Sequence, residues 1–106
     1  FVTEHDLNPL DLGIPVADIS SLLGEAPGHN AAIARKVLAG EPGPVRDIVI
    51  LNAAAGICAF ELARDPELNR LPILERLGAS MAQAAAAVDS GRAAEKLDQW
   101  VAATNA

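Results

Sequence analysis

The stretch Gly43–Arg64, GPVRDIVILNAAAGICAFELAR, decides how this chain is read. From Ile48 to Phe60 its only polar side chain is Asn52. A helix apolar on every side has to be wrapped by other protein rather than laid on a surface. Such a run is too short to cross a bilayer, which takes about 20 residues, so the pattern predicts a core helix and no membrane span. Its ends carry helix punctuation. Gly43 stands at the N-cap, Pro44 at the first helical position, and Asp47 in the first turn faces the positive end of the dipole. At the far end Asp65-Pro66 closes the helix, because proline disfavours helical geometry in the residue before it.

Outward from this helix the chain divides into short helical pieces. Phe1–His5 is β-leaning (Phe, Val, Thr) and predicts a short strand that needs a partner. Because Phe1-Val2-Thr3 enters in mid-strand, the sequence reads as a piece of a longer protein. Asn8-Pro9 to Ile14-Pro15 is turn-rich and predicts an ordered loop. Asp18 caps a helical turn over Ile19–Leu23, ended by Gly24. His29 or Asn30 starts the next helix, which runs to Ala39 and stops at Gly40, with Ile33 and Val37 (and Ala34 and Leu38) inward and Arg35 and Lys36 outward. Asp65–Leu71 reads as a polar connection. Pro72 then opens a helix to about Asp89, with Ile73, Leu77, Met81, Ala84, Ala85 and Val88 on its inner face and Glu75, Arg76, Ser80 and Gln83 opposite. Gly78 within it costs about 1 kcal/mol against alanine, which a close helix crossing would explain. Asp89-Ser90-Gly91 ends that helix and caps the last, Arg92 to about Thr104, which buries Ala93, Leu97, Trp100 or Val101, and Thr104. The expected fold is mainly α, with four to five helices and one short N-terminal strand.

Composition narrows the function. With 106 residues the chain holds one domain at most. The hydrophobic share is 51%, but aromatics are 3% and alanines number 22, a composition suited to close helix packing against something larger. Net charge is −6 and the basic residues are scattered, which excludes a nucleic-acid surface. One cysteine, Cys58, excludes an internal disulfide framework and fits a reducing cytoplasm.

No residue pattern declares a reaction. Gly40-Glu41-Pro42-Gly43-Pro44-Val45-Arg46 places glycines before a helix start beside a guanidinium, the ingredients of an anion cradle. Glu41 adds negative charge, the prolines remove backbone donors, and no Lys-Ser/Thr follows, so a structural turn is favoured. Arg46 and Asp47 are adjacent and point to different sides of their helix, so each needs its own partner. For Arg46 that is a carboxylate or a helix-end carbonyl from another segment. Asn52, if buried, must be hydrogen-bonded, and tying a loop to the core around Asp89-Ser90-Gly91 is its expected use. His5 and His29 lack partners at metal-ligand spacing. Cys58 has no basic neighbour in sequence and reads as a buried structural thiol. Carboxylate pairs such as Asp65/Glu67 and Glu95/Asp98 read as solvated surface, and Trp100 as the pin of a terminal helix.

Several stretches together resemble the C-terminal part of the anthranilate phosphoribosyltransferase family. They are Asp11-Leu12-Gly13-Ile14, Asn30-Ala31-x-Ile33 leading to Val37-Leu38-Ala39-Gly40-Glu41, and Gly43-Pro44-Val45-Arg46-Asp47 followed by Leu51-Asn52-Ala53-Ala54. Val88-Asp89-Ser90-Gly91-x-Ala93-x-x-x-Leu97 completes the set, with Trp100-Val101 and Thr104-Asn105 beyond it. The GPxRDxxxLNAA and DSGxAxxxL blocks are specific as a pair. Departures, at Glu25-Ala26-Pro27-Gly28 and in the Asp65–Leu71 link, fall in loops.

The resemblance implies a parent enzyme of tryptophan biosynthesis. It joins anthranilate to phosphoribosyl pyrophosphate with Mg²⁺ on the diphosphate, and is a cytoplasmic homodimer. It has a small helical domain and an α/β domain of phosphoribosyltransferase/nucleoside-phosphorylase type, of which residues 1–106 are an incomplete C-terminal part. The family's GTGGD loop, KHGN stretch and Asp-Glu metal pair are not in this sequence. No catalytic, substrate-binding or metal-binding residue is therefore assigned, and no cofactor to this stretch alone. Arg46, Asp47, Asn52, Asp89, Ser90 and Gly91 are assigned structural roles. Two other readings stand beside this one: a same-fold paralogue with a different acceptor, and a free-standing helical interaction module. On the transferase-fragment reading the isolated chain is inactive and self-associates through an uncovered apolar side.

Overall fold

A computed structural model describes residues 2–106. The described residues form four α-helices, α1 (Pro27–Leu38), α2 (Pro44–Arg64), α3 (Ile73–Asp89) and α4 (Arg92–Thr104), with two short 3-10 segments before α1 and a third between α2 and α3. The 3-10 turns span Pro9–Leu12, Ile19–Leu22 and Pro66–Arg70. No strand forms among the described residues. The strand expected over Phe1–His5 is absent from residues 2–5, because no other extended segment offers backbone groups to pair with; Phe1 lies outside the described residues.

Local chemistry explains most boundaries. Gly43 caps α2 with φ 140° and Pro44 fills the first helical position; Asp65, at the other end, closes the helix by donating its N–H to the Glu61 carbonyl. Asp18 caps its 3-10 turn by accepting the Ser20 N–H at 3.0 Å. Asn8 does the same for Leu10 at 3.1 Å, so the loop expected at Asn8–Pro15 contains a full turn. Likewise Asp65 accepts from Glu67 N and winds the polar connection into a 3-10 turn. α1 begins at Pro27, two residues ahead of the expected start, because a proline with φ already set is a favoured first helical residue. Asn30 anchors the loop before it, accepting Glu25 N–H and donating to the Glu25 carbonyl. A Cβ at Gly24 would lie 2.6 Å from that Asn30 oxygen, so a side chain there would have to displace the Asn30 amide.

The core is the seam between α2 and α3. Ile50 packs with Ala84 and Val88, flanked by Ile57, Met81, Ala85 and Ala93. Ala54, Cys58 and Leu77 extend the seam, and Val37 of α1 is buried beside it. Ser80, expected on the outer face of α3, is buried at 4% exposure. Gly78, expected at a helix crossing, has open space where its Cβ would be. α4 buries no residue; Ala93 and Leu97 are half-buried, and Trp100, expected to pin the helix, is 66% exposed.

The uncovered apolar side expected of an incomplete domain falls on α2. Its apolar run is covered on one stripe only, Ile50, Ala54 and Cys58, at intervals of four residues. The opposite face leaves Ile48, Val49 and Phe60 exposed. Among the described residues α3 and two 3-10 turns make the main contacts with α2, and the side bearing Val49 and Phe60 is left open. Global dimensions agree. The radius of gyration is 15.6 Å, against about 13 Å for a compact chain of this length. The accessible surface is 7520 Å², against about 5,600 Å² for a folded monomer of this mass.

Gly56 and Gly78 are helix-interior glycines with open space at the Cβ position. Gly56→Ala and Gly78→Ala are each expected to stabilise this chain by about 0.5–1 kcal/mol. The urea midpoint should rise with unchanged slope; a fall for either variant would show that the position is crowded.

Candidate functional site

Two sequence blocks 43 residues apart meet at one place. Arg46, in the first turn of α2, donates from Nη1 to Asp89 Oδ1 at 2.8 Å and from Nη2 to Asp89 Oδ2 at 3.0 Å. Arg46 is largely covered, with its side chain 17% exposed, and Asp89 half-open at 54%. Each charge alone sits at the wrong end of its helix: a cation near the positive end of α2, an anion at the negative end of α3. Paired in a parallel fork, the two offset that penalty and fix the helix ends against each other.

The surroundings are fitted to the pair. A Cβ on Gly40, which has φ 92°, would stand 3.4 Å from Asp89 Oδ1, so the carboxylate also lies against the link between α1 and α2. Ser90 donates to the Ala87 carbonyl and accepts from Arg92 N and Nε, at 3.4 and 3.1 Å. Gly91, in the left-handed region at φ 84°, turns the chain into α4. A second ion pair, Arg35 with Asp98 at 2.6 Å, joins α1 to α4 on the exposed side.

The remaining sequence-selected residues stand apart from this junction. Asp47 lines an apolar groove of about 350 Å³ between the N-terminal turns and the start of α2, among Leu10, Ile14, Leu22, Ile48 and Leu51. Asn52 is exposed and donates to the Ile48 carbonyl at 2.8 Å within its own helix. Its expected tie to Asp89-Ser90-Gly91 is not made, since it points along the uncovered face of α2. His29 is 3.9 Å from Glu25 on the surface. Among the described residues no three His, Cys, Asp or Glu side chains converge as a metal site would require. The Asp18 carboxyl is held below its ordinary value, first by the Ser20 backbone N–H and then by the Ser20 hydroxyl.

One contact was invisible in the sequence. Arg76 Nη1 lies 4.0 Å from Cys58 Sγ, while Arg76 Nε donates to the Leu71 carbonyl at 3.1 Å. Cys58 has no basic neighbour along the chain; the guanidinium arrives from the facing helix.

Comparison with known proteins finds matches along nearly the whole chain. Residues 1–94 match the model of the glycosyl transferase family, a/b domain. A protein of Leifsonia xyli subsp. xyli named anthranilate phosphoribosyltransferase is 60% identical over 97% of this chain, which covers 30% of that protein. The protein of the same name from Clavibacter michiganensis subsp. michiganensis is 61% identical over 99% of the chain and 30% of its own length. The Acidothermus cellulolyticus protein of that name is 47% identical over 99% and 28%. The chain thus spans under a third of the curated relatives it matches. No solved structure matches it.

A double-mutant cycle of Arg46→Ala and Asp89→Ala is expected to give a coupling of about 1 kcal/mol, kept modest by the half-open carboxylate. Arg46→Lys should recover only part of it, because an ammonium cannot present two parallel donors. Coupling indistinguishable from zero in chemical denaturation would remove the pair from the account of how α2 and α3 are held.

Proposed function

The chain belongs to the glycosyl transferase family, a/b domain, and on that premise we propose that residues 1–106 are the C-terminal part of an anthranilate phosphoribosyltransferase. The parent transfers the phosphoribosyl group of phosphoribosyl pyrophosphate to anthranilate in tryptophan biosynthesis, as a cytoplasmic homodimer. The observation that carries this reading is the 60% identity to the Leifsonia protein of that name, extending over nearly the whole chain. Relatives of that name at such identity favour it over a same-fold paralogue with another acceptor and over a free-standing helical module.

This stretch supplies no reacting group. Its part is to brace an incomplete α/β domain, with Arg46, Asp89, Ser90 and Gly91 fixing the helix junction, and Asp47 and Asn52 serving the start of α2. Two features support that role. The uncovered face of α2, with Ile48, Val49 and Phe60, lies opposite the seam with α3, as a helix sandwiched between a neighbour and a sheet would. The family is described as a/b, yet the described residues form no strand, so the sheet would come from the rest of the parent.

Magnesium, when bound in the parent, neutralises charge on the departing pyrophosphate. The residues here do not fit that ion. Among the described residues no three His, Cys, Asp or Glu side chains converge, and Asp89 is committed to Arg46. No step is therefore routed through a metal held by this chain.

Two measurements test the proposal. Replacing the matching segment of the Leifsonia relative with this chain should preserve turnover within about tenfold (about 1.4 kcal/mol), followed by loss of anthranilate fluorescence. The 106-residue chain alone should show none with both substrates and magnesium. Turnover by the chain alone, or a folded but dead chimera, would sink the assignment. The isolated chain is also expected to self-associate through the open face of α2. Light scattering should report a mass rising with concentration, and a monomer throughout would argue against an exposed docking face.

A further inference from the structure

We propose that the groove between the N-terminal turns and the start of α2 seats an apolar segment of the parent that precedes residue 1 and lays a basic side chain on Asp47. The inference rests on the fragment reading above and adds a second contact surface to it. The groove holds about 350 Å³ and is lined by Leu10, Val16, Leu22, Ile48 and Leu51 around Asp47. Much of that lining is open, with Val16 85% exposed and Leu10 55%. Ile48 belongs both to the groove and to the open side of α2, so the two apolar surfaces are continuous. At 100° per residue, however, Asp47 stands well round α2 from Val49 and Phe60.

The groove has a built wall. Asn8 accepts the Leu10 N–H, while the Gly13 and Ile14 N–H groups donate to the Leu10 and Pro9 carbonyls. Asp18 caps the following turn through the Ser20 N–H. With these backbone groups engaged, the wall presents apolar side chains, and their complement is an apolar segment. Asp47 is the one charged residue that lines the groove, and it is half-buried. Among the described residues it takes part in no ion pair. Its neighbour Arg46 is committed to Asp89. A first-turn carboxylate gains from the dipole of its own helix. One set among apolar side chains has also lost part of its water, and a cation brought to it restores more than the dipole does.

Length and charge select the occupant. The chain covers 30% of the Leifsonia relative, so most of the parent lies outside it. On the fragment reading that remainder precedes residue 1 and supplies the sheet that α2 lacks. A second copy of this chain is a poorer fit, because each copy carries a net charge of −6 and the groove's own charge is negative. The occupant is therefore apolar where it meets Leu10, Leu22, Ile48 and Leu51, with one Lys or Arg where it meets Asp47.

The test uses the Leifsonia relative with this chain in place of its own matching segment. With Val16→p-benzoylphenylalanine, ultraviolet light should join the groove to a peptide that precedes residue 1, identified by mass spectrometry after digestion. Crosslinks confined to residues 1–106, or running to the second subunit, would overturn the proposal. D47K should lower the melting temperature about 3 °C further than E75K does. Glu75 is an exposed acidic residue in the first turn of α3, so E75K measures the loss at a helix start alone. Equal shifts would also overturn the proposal, because Asp47 would then serve only its own helix. Should D47K fail to fold, D47N against E75Q decides by the same comparison. Turnover by the unsubstituted chimera separates the two levels. With turnover present, these failures remove the groove assignment alone, whereas a folded but dead chimera removes the fragment reading on which it rests.

Discussion

The seam between α2 and α3, closed at one end by the fork of Arg46 on Asp89, is the constraint from which every other element takes its place. Along the seam, side chains four apart on α2 meet the Leu77, Ala84 and Val88 stripe of α3. Alanines here let the two backbones approach closely, but they bury little area each, so the stabilisation per residue is small. A polar fixture at the end of such a seam then has unusual leverage. Sliding α3 by a turn, about 5.4 Å, would leave the largely covered Arg46 guanidinium without its carboxylate. Apolar contact alone would resist that slip only weakly.

The same fixture shows how much of this structure the sequence makes legible. Both ends of α2 are readable, because Gly-Pro and Asp-Pro constrain backbone geometry locally, whatever packs nearby. A partner for Arg46 from another segment, a carboxylate or a helix-end carbonyl, is readable as a need, although which of the two and the 43 residues spanned are not. What escaped were assignments of side. Ser80 looks polar and therefore external, yet its position on α3 turns it into the seam, where a small hydroxyl fits. Trp100 looks like a pin, yet α4 has too few neighbours to cover it. Asn52 looks like a tie, but the face it occupies meets nothing here, so it bonds back to its own helix. Each of these depends on what lies across from the residue, and no local rule supplies that.

The missing strand and the open face of α2 have one physical reason. A strand is a pairing, and an all-round apolar helix is a filling; both are statements about missing neighbours as much as about their own residues. The sequence at residues 2–5 and at Ile48–Phe60 carries the demand, while the 106 residues carry only part of the supply. The surplus surface, 7520 Å² where about 5,600 Å² is usual, measures that shortfall.

This also explains how residues without chemistry can matter to a reaction on the proposed reading. Transfer between two bound substrates depends on holding them in one geometry, and a displacement near 1 Å in the supporting shell is enough to cost about a hundredfold in rate. A helix pinned to its neighbour at one end by a two-point charged fork, and flat and apolar on its other face, transmits position rather than charge. Its Val49 and Phe60 face can seat against a sheet only in the orientation that the α3 seam allows. The junction at Asp89 would thus act on the distant site through the rigidity of α2. On that reading the bracing elements hold no polar group near the chemistry, which keeps their packing free of the demands that catalysis makes on a site.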